Sequence, residues 1–255
     1  MENLLAGTFA PTPDPSSTSH ECPMCQGREQ WTEVVNGYPY EMVCQCYVDK
    51  MHEIHLAFLS NERVENSKQR QKIECSTFQN FKPWDARVAR AKGIAEAYVL
   101  DFPHIEKKFP NSLAILGEVG SGKTTLAMCV LNALMMQNIG VVLANYRDIV
   151  DKLKASVLDA SEYGRIMREY ANARVLIIDD LYKQHTAAEL KYVYELINKR
   201  YEAGKPVVIT SEFEANHLVD IDQAVGSRLL EMCAGETKYI FEMRGGGLNY
   251  RLRGL

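Results

Sequence analysis

Gly117-Glu118-Val119-Gly120-Ser121-Gly122-Lys123-Thr124 is the stretch on which the fold turns. Two glycines with four residues between them, then Lys and Thr, form a P-loop pattern. The apolar run Leu113–Leu116 precedes it and the strongly helical Thr124–Met136 follows it, so the loop joins a strand to a helix. Glycines let backbone N–H groups wrap an anion, and the helix start adds the positive end of its dipole. In that geometry Lys123 reaches the β- and γ-phosphates of ATP, and the Thr124 hydroxyl ligates Mg²⁺. Gly117, Glu118, Val119, Gly120, Ser121, Gly122, Lys123, Thr124 and Thr125 are the expected nucleotide-binding positions. By average composition the four constrained positions coincide by chance in roughly one chain in a hundred of this length.

Val175-Leu176-Ile177-Ile178-Asp179-Asp180 is an apolar strand ending in two acids. A carboxylate there belongs in the magnesium shell, which assigns Asp179 to the metal. Asp180, at the strand end, is placed to orient or polarise an attacking water. An acidic turn after a buried strand is the structural alternative, and the P-loop upstream disfavours it.

Outward from these two motifs the chain alternates strands and helices. Trp84–Leu100 and Glu189–Ala203 are expected helices, the second ending at Gly204, and Val141–Ala144 and Val207–Thr210 are further buried strands. Strands spaced by helices imply an α/β fold with a mostly parallel sheet. Residues 1–20 hold three prolines and a Ser/Thr-rich stretch and read as a disordered tail. The expected order is this tail, a cysteine-bounded module over 21–60, a polar linker over 61–76 and the ATPase domain over 77–255. The front has no basic start and no apolar core of a secretory signal, and no run reaches the roughly 18–20 apolar residues of a membrane span. A cytoplasmic protein with no membrane partner is the expectation. A formal charge of -4 at 255 residues excludes coating of nucleic acid by bulk charge, so any DNA contact is local.

The strings GEVGSGKTTLA (117–127), VLIIDDL, INKRYEAGKPVVIT (197–210) and VGSRLLEMC, with TFQNF at the front of the domain, resemble the helicase-loader family of DnaC and DnaI and the related IstB transposition helpers. That resemblance implies an AAA+ fold, self-association through ATP sites, and delivery of a replicative ring helicase onto single-stranded DNA. By position it makes Arg228 an arginine finger reaching a neighbour's γ-phosphate, alongside Lys123 and Asp180 as catalytic positions. A solvated helical arginine is the other reading of Arg228. Arg200 matches a basic position of the family and equally suits a cation at a helix C-terminus. The family writes TSN where this chain has Thr210-Ser211-Glu212, which leaves open which of the three reads the phosphate. Arg251, in Asn249-Tyr250-Arg251, resembles the arginine of a short loader tail.

Cys22-x2-Cys25 and Cys44-x-Cys46 supply four thiolates, a set that Zn²⁺ takes tetrahedrally. The second pair is tighter than the usual spacing, but CxC also stands at the front of the DnaI-like loaders that the chain resembles. His52 and His55 are rival ligands, and reduced structural thiols are a third possibility. Metal binding would then be the module's folding energy. Trp31, Tyr38, Tyr40 and Tyr47 would form either its mini-core or a surface for a partner. Cys75, Cys129 and Cys233 read as buried or semi-buried thiols. A helicase loader leads; an IstB-like helper that binds target DNA is the alternative, and a metabolic kinase lacks a visible acceptor motif.

Overall fold

The computed structural model describes residues 30–35, 38–44, 75–234 and 239–253. The chain divides into two compact units, Met1–Lys50 and Met51–Leu255. In the first, β1 (Gln30–Val35) pairs antiparallel with β2 (Tyr38–Val43) over six facing positions from Gln30↔Val43 to Val35↔Tyr38. Cys44 follows β2 and is buried. Cys22, Cys25, Cys46, Tyr47, His52, His55 and residues 61–74 of the expected linker lie outside the described residues.

The second unit holds five parallel strands in the order β4-β5-β6-β3-β7. They are β3 (Leu113–Gly117), β4 (Val141–Asn145), β5 (Val175–Asp179), β6 (Val207–Ser211) and β7 (Ile240–Met243). Strand β6 therefore lies between the P-loop strand and the acid-bearing strand. Residues of β3 alternate between two cores: Leu113 and Ile115 face one side, Ala114 and Leu116 the other. On the first side pack α1 (Ala86–Ile105) and α2 (Lys123–Met136). On the second pack α3 (Tyr146–Ala155), α4 (Ala160–Asn172), α5 (Leu190–Glu202) and α7 (Gln223–Cys233), with the short α6 (Ala215–Ile221) entering α7. The result is a helix–sheet–helix sandwich whose central parallel strands, covered on both faces, are apolar until their carboxyl ends.

Six of the expected elements end within a residue or so of their observed bounds. Helix α1 does not: it runs to Ile105 instead of Leu100, through Pro103. Proline lacks the N–H that would bond the Val99 carbonyl one turn back. Gln137 Nε2 donates to that carbonyl at 3.3 Å, and Tyr98, Val99 and Phe102 are buried, so packing holds the last turn. Helices α3, α4, α6 and α7 and strand β7 had no counterpart in the sequence reading. Cys75 is exposed, contrary to expectation, whereas Cys129 and Cys233 are buried. Burial pushes the Cys129 thiol up to about 12. No helix among the described residues is long and apolar enough to cross a membrane.

Candidate nucleotide site

The P-loop leaves the carboxyl end of β3 and becomes α2, with Gly122 at the helix N-cap in the left-handed region (φ 90°). A side chain there would lie 3.0 Å from the Trp84 ring, with Phe81 close behind, so glycine is needed for conformation and for space. Lys123 is buried, and its Nζ donates to the carbonyls of Gly117 and Glu118, both at 2.9 Å. Burial lowers its pKa. Ser121 is also buried, and its hydroxyl has no hydrogen-bond partner among the described residues.

Three strand ends meet beside the loop. Thr124 Oγ1 donates to Asp179 Oδ1 at 3.0 Å, and Thr210 Oγ1, from β6, donates to the same oxygen at 2.5 Å. The Asp180 N–H donates to Thr210 Oγ1 at 2.8 Å. The strand order explains the convergence: β6 sits between β3 and β5, so its Thr210 is interposed between their ends. Burial raises the Asp179 pKa, and the neighbouring Asp180 charge adds to the rise, while the two hydroxyls oppose it. Of the three candidates for the phosphate-reading position, Thr210 touches Asp179, Ser211 donates inward to Leu181 O at 2.9 Å, and Glu212 lines the cavity.

That cavity has a volume of about 660 Å³. The P-loop residues Val119, Gly120, Gly122, Lys123, Thr124 and Thr125 form its floor, and Asp179, Asp180, Lys183 and Glu212 form its polar end. Thr77, Asn80, Phe81, Trp84, Tyr250 and Arg251 form the opposite wall. The Trp84 and Tyr250 rings lie 4.7 Å apart, and Trp84 Nε1 donates to Leu248 O at 3.2 Å. The Tyr250 N–H donates to Gly120 O at 3.0 Å, which lays the C-terminal turn on the P-loop. Arg87 secures that turn by donating to the carbonyls of Arg244, Gly245 and Gly246. Glu118 Oε1 accepts from the Gly245 N–H at 2.9 Å.

This donor set fits ATP and Mg²⁺. A buried lysine whose only partners among the described residues are carbonyls, and a glycine-rich helix start, suit phosphates. Hydroxyl and carboxylate oxygens suit a hard cation. Burial disfavours the charged forms of Lys123 and Asp179, and counter-charges in the cavity would favour them.

Two arginines lie elsewhere. Arg200 is fully buried; its Nη1 donates to Tyr170 O, Ala171 O and Ala173 O at 2.8, 3.1 and 2.9 Å, and its Nη2 to Pro206 O. It ties the end of α4 to the start of β6 and has no part in the cavity. Arg228, on α7, does not line the cavity either. Its Nη1 donates to Ala224 O at 2.8 Å, and its guanidinium lies over the Tyr194 and Tyr201 rings at 5.7 and 5.5 Å. Sequence reasoning missed Lys183, whose Nζ is 2.9 Å from Asp180 Oδ2 and 3.3 Å from Glu212 Oε1. Its spacing of three residues from Asp180 was the one available signal. The aromatic wall was missed as well, although Phe81 belongs to the TFQNF string.

Comparison with known proteins fits this geometry. The chain is 34% identical over 166 residues to the phage-like element PBSX protein XkdC of Bacillus subtilis, covering 62% of this chain and 60% of that protein. It is 35% identical over 107 residues to a putative ATP-binding protein in an insertion sequence, Rv3427c, of Mycobacterium tuberculosis, covering 42% of each. The chain thus spans less than two thirds of the length of the curated relatives it matches. Among solved structures, the DnaC helicase loader superposes with a TM-score of 0.55 at 21% identity, covering 66% of this chain and 97% of that one. At that identity the likeness speaks for the fold. The family described as IstB-like ATP binding protein matches residues 36–240, and the chain belongs to that family of P-loop ATP-binding proteins.

Proposed function

We propose that the chain is a loader for a replicative ring helicase, using ATP binding and hydrolysis as an assembly switch on single-stranded DNA. The observation that carries this reading is coverage: the likeness to the DnaC helicase loader takes in 97% of that chain, far more than a shared P-loop core. In this reading Lys123 exchanges the Gly117 and Glu118 carbonyls for the β- and γ-phosphates. Thr124 and Asp179 hold Mg²⁺, which neutralises phosphate charge. Asp180 orients and polarises the attacking water. Arg228, apart from its own cavity, serves the site of a neighbouring subunit, so self-association completes each active site. Within its own subunit its guanidinium rests over two tyrosine rings in cation–π contact.

The front unit belongs to the same proposal. Cys22, Cys25, Cys44 and Cys46 hold Zn²⁺, and the folded module holds the helicase. A titration of replicative helicase against the wild type and a Cys22→Ser/Cys25→Ser variant, with metal content read in parallel, tests it. The variant is expected to lose zinc and most helicase affinity while still binding ATP. Unchanged helicase affinity in the zinc-free protein would remove the module from the interface. Absence of helicase binding in the wild type would overturn the loader reading. The similarity to a protein from an insertion sequence favours one rival, an IstB-like transposition helper; duplex-DNA binding without helicase binding would support it.

A further inference from the structure

The polar end of the cavity carries an unusual charge arrangement. Glu212 follows β6 and points a carboxylate into the space meant for phosphates, where an uncompensated negative charge would repel the ligand. Among the charges that favour the Lys123 ammonium, Glu212 acts most strongly, ahead of Asp180 and Asp179. Lys183 answers that charge at 3.3 Å and reaches Asp180 at 2.9 Å. Both ends of this bridge are fixed. The Glu212 carbonyl accepts from Arg244 Nη2 at 2.8 Å. In the turn after β5, Leu181 and Tyr182 are buried, the Leu181 N–H donates to Thr210 O, and Ser211 Oγ donates to Leu181 O. That leaves Lys183 to project between the two acids.

We propose that Lys183 and Glu212 form one charge-matched couple that positions Asp180 and admits the terminal phosphate, Glu212 sharing Lys183 with Asp180 and Lys183 cancelling the charge of Glu212. This rests on reading the cavity as the site of ATP hydrolysis. Both are positioning residues, acting through Asp180 and through the net charge of the cavity. Loss of either therefore has a distinct consequence. Without Lys183, Glu212 repels the phosphates; without Glu212, Lys183 pairs with Asp180 alone and ties up its carboxylate. Removing both returns the cavity to the same net charge as the wild type.

The test is a double-mutant cycle in the full chain, with ATP as the probe and kcat and KM measured separately. Lys183→Met should raise KM by on the order of tenfold, the consequence of leaving a close charge unpaired. Glu212→Gln should hold KM within about twofold and lower kcat by about tenfold on the same argument. The double Lys183→Met/Glu212→Gln should return both constants to within roughly threefold of wild type, and Lys183→Arg should preserve them. Lys183 is well exposed, so thermal melts of all variants should coincide. Effects that multiply in the double variant, or single variants with unchanged constants as for an ordinary surface ion pair, would overturn the couple. Wild type and Lys123→Ala separate this from the site reading: hydrolysis by the first and not the second keeps the site even if the couple fails. A wild type that neither binds nor hydrolyses ATP overturns both.

Discussion

The two ends of the parallel sheet treat charge in opposite ways. At the carboxyl ends of the strands, Lys123, Asp179, Asp180, Lys183 and Glu212 are gathered around a cavity with their charges balanced against one another. The backbone there is strained as well: Asp180, Tyr182 and Gln184 all take positive φ, near 56°, 64° and 52°. At the amino ends a buried guanidinium, Arg200, is enclosed by carbonyls at the end of α4 and the starts of β5 and β6. Burial lowers its pKa to about 9. The first arrangement can change when phosphates arrive; the second has nothing to respond to and serves the fold. A substitution should therefore cost function at one end and stability at the other.

The sharpest break of that comparison is Lys123→Ala. It should abolish ATP binding at concentrations that saturate the wild type, while the melting temperature stays within a few degrees, since the removed ammonium is held away from water by only two carbonyls. Calorimetric titration with ATP, alongside a thermal melt, reads both quantities. Retained binding would remove Lys123 from the site.

Arg200→Met should show the reverse. Four carbonyls lose their donor in a place water does not reach, and each buried orphan costs about 1–3 kcal/mol, tempered by relaxation. A total of about 3–5 kcal/mol follows, the range for breaking a buried charged network. Arg200→Lys should recover only part of it, because a single ammonium cannot serve Tyr170, Ala173 and Pro206 in the directions that a planar fork reaches. Urea unfolding would measure the loss, and the ATP affinity of the folded fraction should match the wild type. A loss of nucleotide affinity without a loss of stability would place Arg200 in the functional class.

The same contrast accounts for what the sequence could reveal. The P-loop and the Asp179-Asp180 pair were legible because their residue types and spacing are dictated by phosphate and metal chemistry, and the strands around them are apolar runs. The convergence of Thr210 on Asp179 was not, because it depends on β6 lying between β3 and β5, a matter of strand order and not of spacing. Arg200 offered two readings in sequence, and only its complete burial against backbone carbonyls separates them. Lys183 was hidden for a similar reason: its partner Glu212 is 29 positions away and is brought close by the pairing of β5 with β6. Helices α3 and α4 went unread although each is capped by a side chain, Asn145 and Asp159, that the sequence displays.

The smallest expected effect sharpens the comparison by testing a charge at the carboxyl end that lies outside the cavity. Glu189 closes a capping box with Thr186 before α5, and its carboxylate pairs with Arg147 Nη1 at 2.8 Å and Lys154 Nζ at 3.0 Å. Its side chain is only 4% exposed, but the two cations are 29% and 47% exposed, so solvent screens the pairs. The Arg147 hydrogen bond, then that of Lys154, holds the Glu189 carboxyl at about 2, well below its ordinary value. A carboxyl depressed in the folded state contributes its stability above the unfolded value of about 4.3 and loses it as pH falls towards the folded value. Glu189→Gln should thus lower stability by about 1–2 kcal/mol at pH 7 after screening, and the gap to wild type should narrow steadily from about pH 5 to pH 3. Urea titrations at pH 7, 5, 4 and 3 would follow it, with ATP turnover at pH 7 unchanged. A gap that stays constant with pH would mean that the shape of the capping box matters and the charge does not; lost turnover with full stability would extend the responsive region of the sheet end as far as α5.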